Sequence, residues 1–175
     1  LYLDNIRLYR NALPDEQVVT WFEAESGTYA DPMLLYEDSS GVLDASGGQY
    51  IGTAGDLGDS AGELPPDGFA RYSFSVEQAG VYKVALRHGD LDGGNSVWVN
   101  IPGAEKNTTG LAAADGWVKF NWDGMIDAFF WSEVHDTDDG STIVEFTLAA
   151  GAHTLEIARR EAGACIDAIA IIAIE

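Results

Sequence analysis

The chain has 175 residues, with 29 acidic side chains against 9 basic ones and a formal charge of −20. Nucleic-acid phosphates and anionic lipid headgroups are met by clustered Lys and Arg, so neither partner class suits this sequence. The apolar fraction of 46% fits a folded globular domain, and no run of about 18 apolar residues is present to span a bilayer.

In chain order, Leu1 to Tyr9 reads as one strand and Asn11 to Glu16 as a linker. Residues 1–16 are either the end of an upstream module or a linker strand beside this domain, and residues 17–175 form the domain proper. The chain opens on Leu1 without a leader pattern and reads as a module of a larger protein. Trp21-Phe22-Glu23-Ala24-Glu25 follows as an opening strand, and period-two geometry places Glu23 and Glu25 on one face. Asp44-Ala45-Ser46-Gly47-Gly48-Gln49-Tyr50-Ile51-Gly52 is a second distinctive segment.

The next segments alternate cleanly. Ala70, Tyr72, Phe74 and Val76 share one face of a strand, and Tyr82, Val84 and Leu86 share one face of the next. Arg87 closes that strand, and His88 to Ser96 reads as a Gly/Asp loop. Val97, Val99 and Ile101 alternate with Trp98 and Asn100. Val144, Phe146 and Leu148 alternate again, and Leu155 and Ile157 follow the turn at Gly151. Ile166 to Ile174 is apolar on both faces except at Asp167, as a central strand should be. No window shows a sustained helical stripe. Many short strands between Gly, Asp and Asn turns predict an all-β, antiparallel β-sandwich.

A single cysteine, Cys165, rules out an internal disulfide and reads as a small core residue. Of the three histidines, His153 reads as structural, while Glu133 and His135 stand two apart as a conceivable acid/base pair. No His-Glu-x-x-His, Gly-x-Ser-x-Gly or P-loop pattern occurs, so the chain reads as non-catalytic. The acidic loops 90–95 and 136–140 lack the spacing of an EF-hand and read as solvated turns, with a second bound cation as the alternative.

Four motifs occur in a distinctive order: Glu23-Ala24-Glu25; Ala45-Ser46-Gly47-Gly48-Gln49-Tyr50; Gly80-Val81-Tyr82; and Leu148-Ala149-Ala150-Gly151-Ala152-His153-Thr154-Leu155, closed by Ile166-Asp167-Ala168-Ile169. Over residues 18–175 this order resembles carbohydrate-binding modules of families six and thirty-five. Arg160-Glu161-Ala162-Gly163 is similar to an ending found in modules appended to polysaccharide-degrading enzymes of aquatic bacteria, with Ala162 in place of an acid.

The resemblance implies a jelly-roll sandwich with a structural Ca²⁺. Glu23, Glu25 and Asp167 would supply carboxylates, and backbone carbonyls near Ser46 and Tyr50 would complete the shell. Independently of the family, Ca²⁺ takes six to eight hard oxygens, and an Asp within an apolar strand needs a partner. The resemblance further implies a non-catalytic module, secreted or at the cell surface of a bacterium, covalently linked to a catalytic domain and binding a polysaccharide or oligosaccharide.

Flat aromatic faces cover the apolar faces of sugars, while planar polar side chains bind hydroxyls. Trp117 matches the Gly-Trp position that stacks on sugar in the resembling modules, and Trp131 lies in an aromatic segment between strands. Trp21 and Trp122 read as packing, and Trp98 as an outward residue. Arg87, Asn95, Arg160 and Glu161 cluster at strand ends as polar candidates. The sugar-binding Asn that such modules often place two residues before the terminal Asp is missing, because Cys165 stands there. An adhesion or spacer module without a sugar site, and a small lyase or hydrolase, remain as alternatives.

Overall fold

The computed structural model describes residues 17–39, 41, 44–53, 68–90, 93–110, 116–122 and 128–174. The expected division at residue 16 therefore lies outside the described residues.

Fifteen described strands build the domain: β1 (Gln17–Glu23), β2 (Thr28–Tyr29), β3 (Met33–Glu37), β4 (Gln49–Thr53), β5 (Phe69–Val76), β6 (Gly80–Asp90), β7 (Ser96–Asn100), β8 (Glu105–Lys106), β9 (Val118–Asn121), β10 (Phe130–Glu133), β11 (His135–Asp136), β12 (Thr142–Ile143), β13 (Glu145–Leu148), β14 (Gly151–Arg159) and β15 (Ala164–Ala173). The larger sheet runs β3-β4-β15-β6-β13-β8, with β1 added on β15 and β10 on β6. The smaller sheet runs β2-β5-β14-β7-β9, and β11 and β12 form a separate ribbon. The registers are antiparallel, as the alternation requires. The jelly-roll sandwich expected from the sequence is the fold observed.

The principal core lies between the sheets. Ile51, Val84, Leu86, Phe146, Ile169 and Ile171 of the larger sheet meet Tyr72, Val97, Val99, Phe120, Leu155 and Ile157 of the smaller one. β15 reads as apolar on both faces because both are covered. Its register shifts between Ile166 and Ala168, which pair with His88 and Arg87. This bulge lets Ile166 and Ile169 both reach the core three residues apart and leaves Asp167 as the extra residue. Ala170 and Ile172 face outward, under Trp21 and Trp131.

Three expectations change in detail. β1 ends at Glu23, and Ala24 to Ser26 form one 3-10 turn. Glu23 and Glu25 therefore do not share a strand face; Ser26 Oγ donates to the Glu23 carbonyl (2.7 Å) and closes the chain into the turn. β6 continues past Arg87 to Asp90, because β15 pairs with it as far as Ala164. His88 is thus a core residue and not the start of a loop. Trp98 points outward from β7 yet is 2% exposed, since other residues pack over that sheet face.

Candidate functional site

The sequence-derived candidates fall into three separate places. The first is a carboxylate cluster at the bulge of β15. Asp167 is fully buried, and both its oxygens are engaged: Oδ1 accepts from the Ser46 backbone N–H (2.6 Å), and Oδ2 accepts from Arg87 Nη1. Arg87 Nη1 also donates to the Asp44 carbonyl (2.9 Å). Ser46 Oγ donates to Glu23 Oε1 (2.9 Å). Arg87 and Ser46 thus stitch β6, the 44–48 loop, β1 and β15 together. Gly47 lies at φ +68°, and a Cβ there would stand 3.3 Å from Glu25 Oε1. This position needs a residue that adopts positive φ and lets the carboxylate approach.

Two oxygens in this cluster, Glu23 Oε2 and Glu25 Oε2, are buried without a hydrogen-bond partner among the described residues. Burial raises Glu23 to about 7, with the Glu25 and Asp167 charges adding to the effect against the Ser46 bond. Burial likewise raises Glu25, and raises Asp167 to about 6 despite the Arg87 charge. Buried acceptors without donors are costly, and a hard cation satisfies them. Among the described residues no three His, Cys, Asp or Glu side chains are placed to hold an ion by themselves. The orphaned oxygens fit Ca²⁺, with carbonyl oxygens needed to complete its shell. Tyr50, the other proposed contributor, pairs with Tyr36 across β4 and β3. Its ring stacks on Tyr36 (5.5 Å between centroids) and tilts against Phe129.

The second place is the outer face of the larger sheet beside this cluster. Trp131 of β10 stands opposite Arg87, and Trp21 of β1 stands opposite Ala170. Both indoles are half-buried over Ala85, Ala170 and Ile172. Arg87 itself, sought as a sugar ligand, is 4% exposed and committed to Asp167 and Asp44.

The third place is a rim where Asn95, Arg160 and Glu161 do meet. Arg160 Nη1 donates to Ser96 Oγ and to Glu161 Oε1 (2.8 Å), while Glu161 Oε2 accepts from the Asn95 backbone N–H (3.0 Å). Asn95 Nδ2 donates to the Trp122 carbonyl (2.7 Å). Gly94 has no room for a side chain, because a Cβ would come within 1.9 Å of the Ala162 carbonyl oxygen. These bonds brace the loop before β7 against the turn between β14 and β15.

Trp117 joins none of these places. It is 3% exposed, packed with Trp98 and Ala158 on the smaller sheet, 5.6 Å from the Phe69 ring. A ring buried in this way has no face left for a sugar. Trp117→Ala is expected to cost about 3–5 kcal/mol of stability, as large core truncations do, and denaturant unfolding reads it directly.

Glu133 and His135 turn to different partners. Glu133 pairs with Lys83 (3.2 Å), and the His135 ring meets Phe120 edge-on (4.9 Å). In the 136–140 loop, Asp136 accepts from the Asp138 N–H (3.0 Å) and Thr108 Oγ1 (3.0 Å), while Asp139 accepts from Thr108 and Thr109. These carboxylates are spent on the turn. Sequence reasoning missed an open cleft of about 510 Å³ on the outer face of the smaller sheet, which includes the Arg71–Glu156 ion pair (2.8 Å). Alternation marks those residues as outward but carries no sign of a concavity.

No protein-family model and no curated protein matches the sequence. Solved structures match in fold. A family 35 carbohydrate-binding module from Clostridium thermocellum superposes with TM-score 0.57 at 12% identity, covering 89% of this chain and 98% of that one. A family 6 module from Cellvibrio mixtus lichenase 5A, in complex with cellotriose, gives TM-score 0.57 at 16% identity, covering 91% and 100%. The fold is that of these carbohydrate-binding modules. A GH26-CBM35 β-(1,4)-mannanase from Podospora anserina also matches, with TM-score 0.57 at 16% identity. The chain covers 28% of that protein and 29% of an exo-β-1,3-galactanase from Phanerochaete chrysosporium. Among the described residues no helix is long and apolar enough to cross a membrane.

Proposed function

We propose that this domain is a non-catalytic, calcium-stabilised carbohydrate-binding module, secreted or displayed at the cell surface. In this reading it tethers a covalently linked polysaccharide-active enzyme to its substrate. The observation that carries the reading is the likeness in fold, over 89–91% of this chain, to carbohydrate-binding modules of families 35 and 6, together with half-buried tryptophans on a sheet face. Tethering raises the local concentration of substrate without adding a contact to the catalytic site. The high negative charge favours a neutral algal or plant polysaccharide over an anionic one, through like-charge repulsion.

Trp131 is the stacking residue in this proposal, with Trp21 beside it and the rim group of Asn95, Arg160 and Glu161 as the polar alternative. Trp131→Ala is expected to weaken retention on insoluble polysaccharide roughly tenfold, the scale of one aromatic contact, in a protein that stays folded but melts lower for the packing lost over Ala85, Ala170 and Ile172. Unchanged retention by Trp131→Ala would move the site away from this face. Glu23, Glu25 and nearby carbonyls would hold the Ca²⁺, which would satisfy the two carboxylate oxygens left without donors. Melting temperature is expected to rise when Ca²⁺ replaces a chelator, by mass action. Equal melting in both buffers would remove calcium from the reading.

A further inference from the structure

Arg87 is an unusual resident of a sheet. It projects from the middle of a long central strand, is 4% exposed, and lies with its guanidinium 5.6 Å from the centre of the Phe129 ring. It reaches Asp167 Oδ2 and the Asp44 carbonyl with one nitrogen, and the Asp44 carboxylate at 3.5 Å with the other. The planar fork suits such a fixed set of acceptors, and a guanidinium stays charged when buried.

The charge balance of the cluster gives these contacts a purpose. Glu23, Glu25 and Asp167 carry three negative charges when ionised, and Arg87 cancels one of them. The remainder matches a single divalent ion. Asp44 adds little, because its side chain is 91% exposed and water screens it. The bonds divide in the same way: Arg87 and the Ser46 N–H satisfy Asp167, and the oxygens left without donors belong to Glu23 and Glu25.

We infer that Arg87 is a resident counter-cation and a positioning residue for the ion site, not a sugar ligand. It holds Asp167 and the 44–48 loop in place whether or not the divalent ion is bound. Asp167 then acts mainly through Arg87 and Ser46, and the ion's new contacts are with Glu23 and Glu25. This inference rests on the calcium reading above.

The test compares melting temperatures in excess Ca²⁺ and in chelator for the wild type, Arg87→Met and Arg87→Lys. Without the guanidinium, the ion-free cluster carries one more unbalanced charge. Arg87→Met is therefore expected to melt several degrees lower in chelator and to show a larger calcium-induced rise than the wild type. Arg87→Lys keeps the charge and is expected to return the rise toward the wild-type value. An equal fall in both buffers, or a smaller rise in Arg87→Met, would overturn the inference. A wild type with no calcium response would overturn the calcium reading instead. In that case a rise appearing only in Arg87→Met would show the guanidinium occupying the ion's place instead of positioning its ligands and would overturn the inference as well, as would no rise in either protein. Should Arg87→Met fail to fold in both buffers, Arg87→Gln against Arg87→Lys provides the same comparison.

Discussion

His88→Phe is expected to flatten the acid limb of the stability profile, gaining about 2 kcal/mol over the wild type at pH 5 beyond any difference at pH 8. His88 is fully buried, stacked on Trp122 (4.3 Å between centroids) and met edge-on by Phe130 (4.1 Å) and Phe120 (5.5 Å). Among the described residues neither ring nitrogen finds a hydrogen-bond partner. Burial, with a smaller contribution from His135, pushes its pKa down to about 3. The unfolded chain takes up a proton near 6.5, and the folded protein refuses it until about 3. Between those values the unfolded state holds more protons, so stability falls as pH drops, by about 1.4 kcal/mol per unit. Phe fills the same aromatic cage and carries no titrating group. Urea unfolding of both proteins from pH 4 to 8 measures the difference. Parallel profiles would mean that His88 titrates normally and that water reaches the ring.

The carboxylate cluster has the opposite sign. Glu23 is raised to about 7 by burial, so without a divalent ion the folded state binds the extra proton. Its contribution is lost as pH rises from about 4.5 to about 7. A bound cation favours the ionised form and removes that loss. The His88→Phe comparison is unaffected, because the cluster is common to both proteins.

Asp167→Ala is expected to be among the most damaging single changes, costing about 3–5 kcal/mol, because it leaves the buried Arg87 guanidinium uncompensated. It also frees the Ser46 N–H from its 2.6 Å bond and with it the loop that covers Glu23. The loss should appear in chelator as well as in Ca²⁺. Were Asp167 only an ion ligand, the chelator value would be unchanged. Unfolding in urea under both conditions separates these outcomes.

The sandwich was legible because each strand carries its own period. Tyr72 and Phe74 in β5, and Leu155 and Ile157 in β14, turn inward as their alternation demands. Asp167 was legible as a lone acid in an apolar strand. Its partner was not, because the bond to Arg87 depends on a bulge that places Asp167 between the residues pairing with His88 and Arg87. Strand periodicity was carried two residues too far, to Glu25, where the chain already turns. Trp117 and Trp98 were misjudged for another reason. Alternation states which sheet face a ring occupies, but not whether other residues pack over that face. The Asn95–Arg160–Glu161 group was found from strand ends alone, since turns at one end of a sandwich converge. The pairing of Trp131 beside Arg87 required the register of β10 on β6.

Affinity electrophoresis through gels cast with a panel of neutral and anionic polysaccharides tests the central claim most directly. The account predicts that the folded wild-type domain is retarded in at least one neutral polysaccharide gel and runs freely in the anionic ones, and that Trp131→Ala is retarded far less at the same polysaccharide concentration. Free migration of the folded wild type through every gel would contradict the carbohydrate-binding assignment.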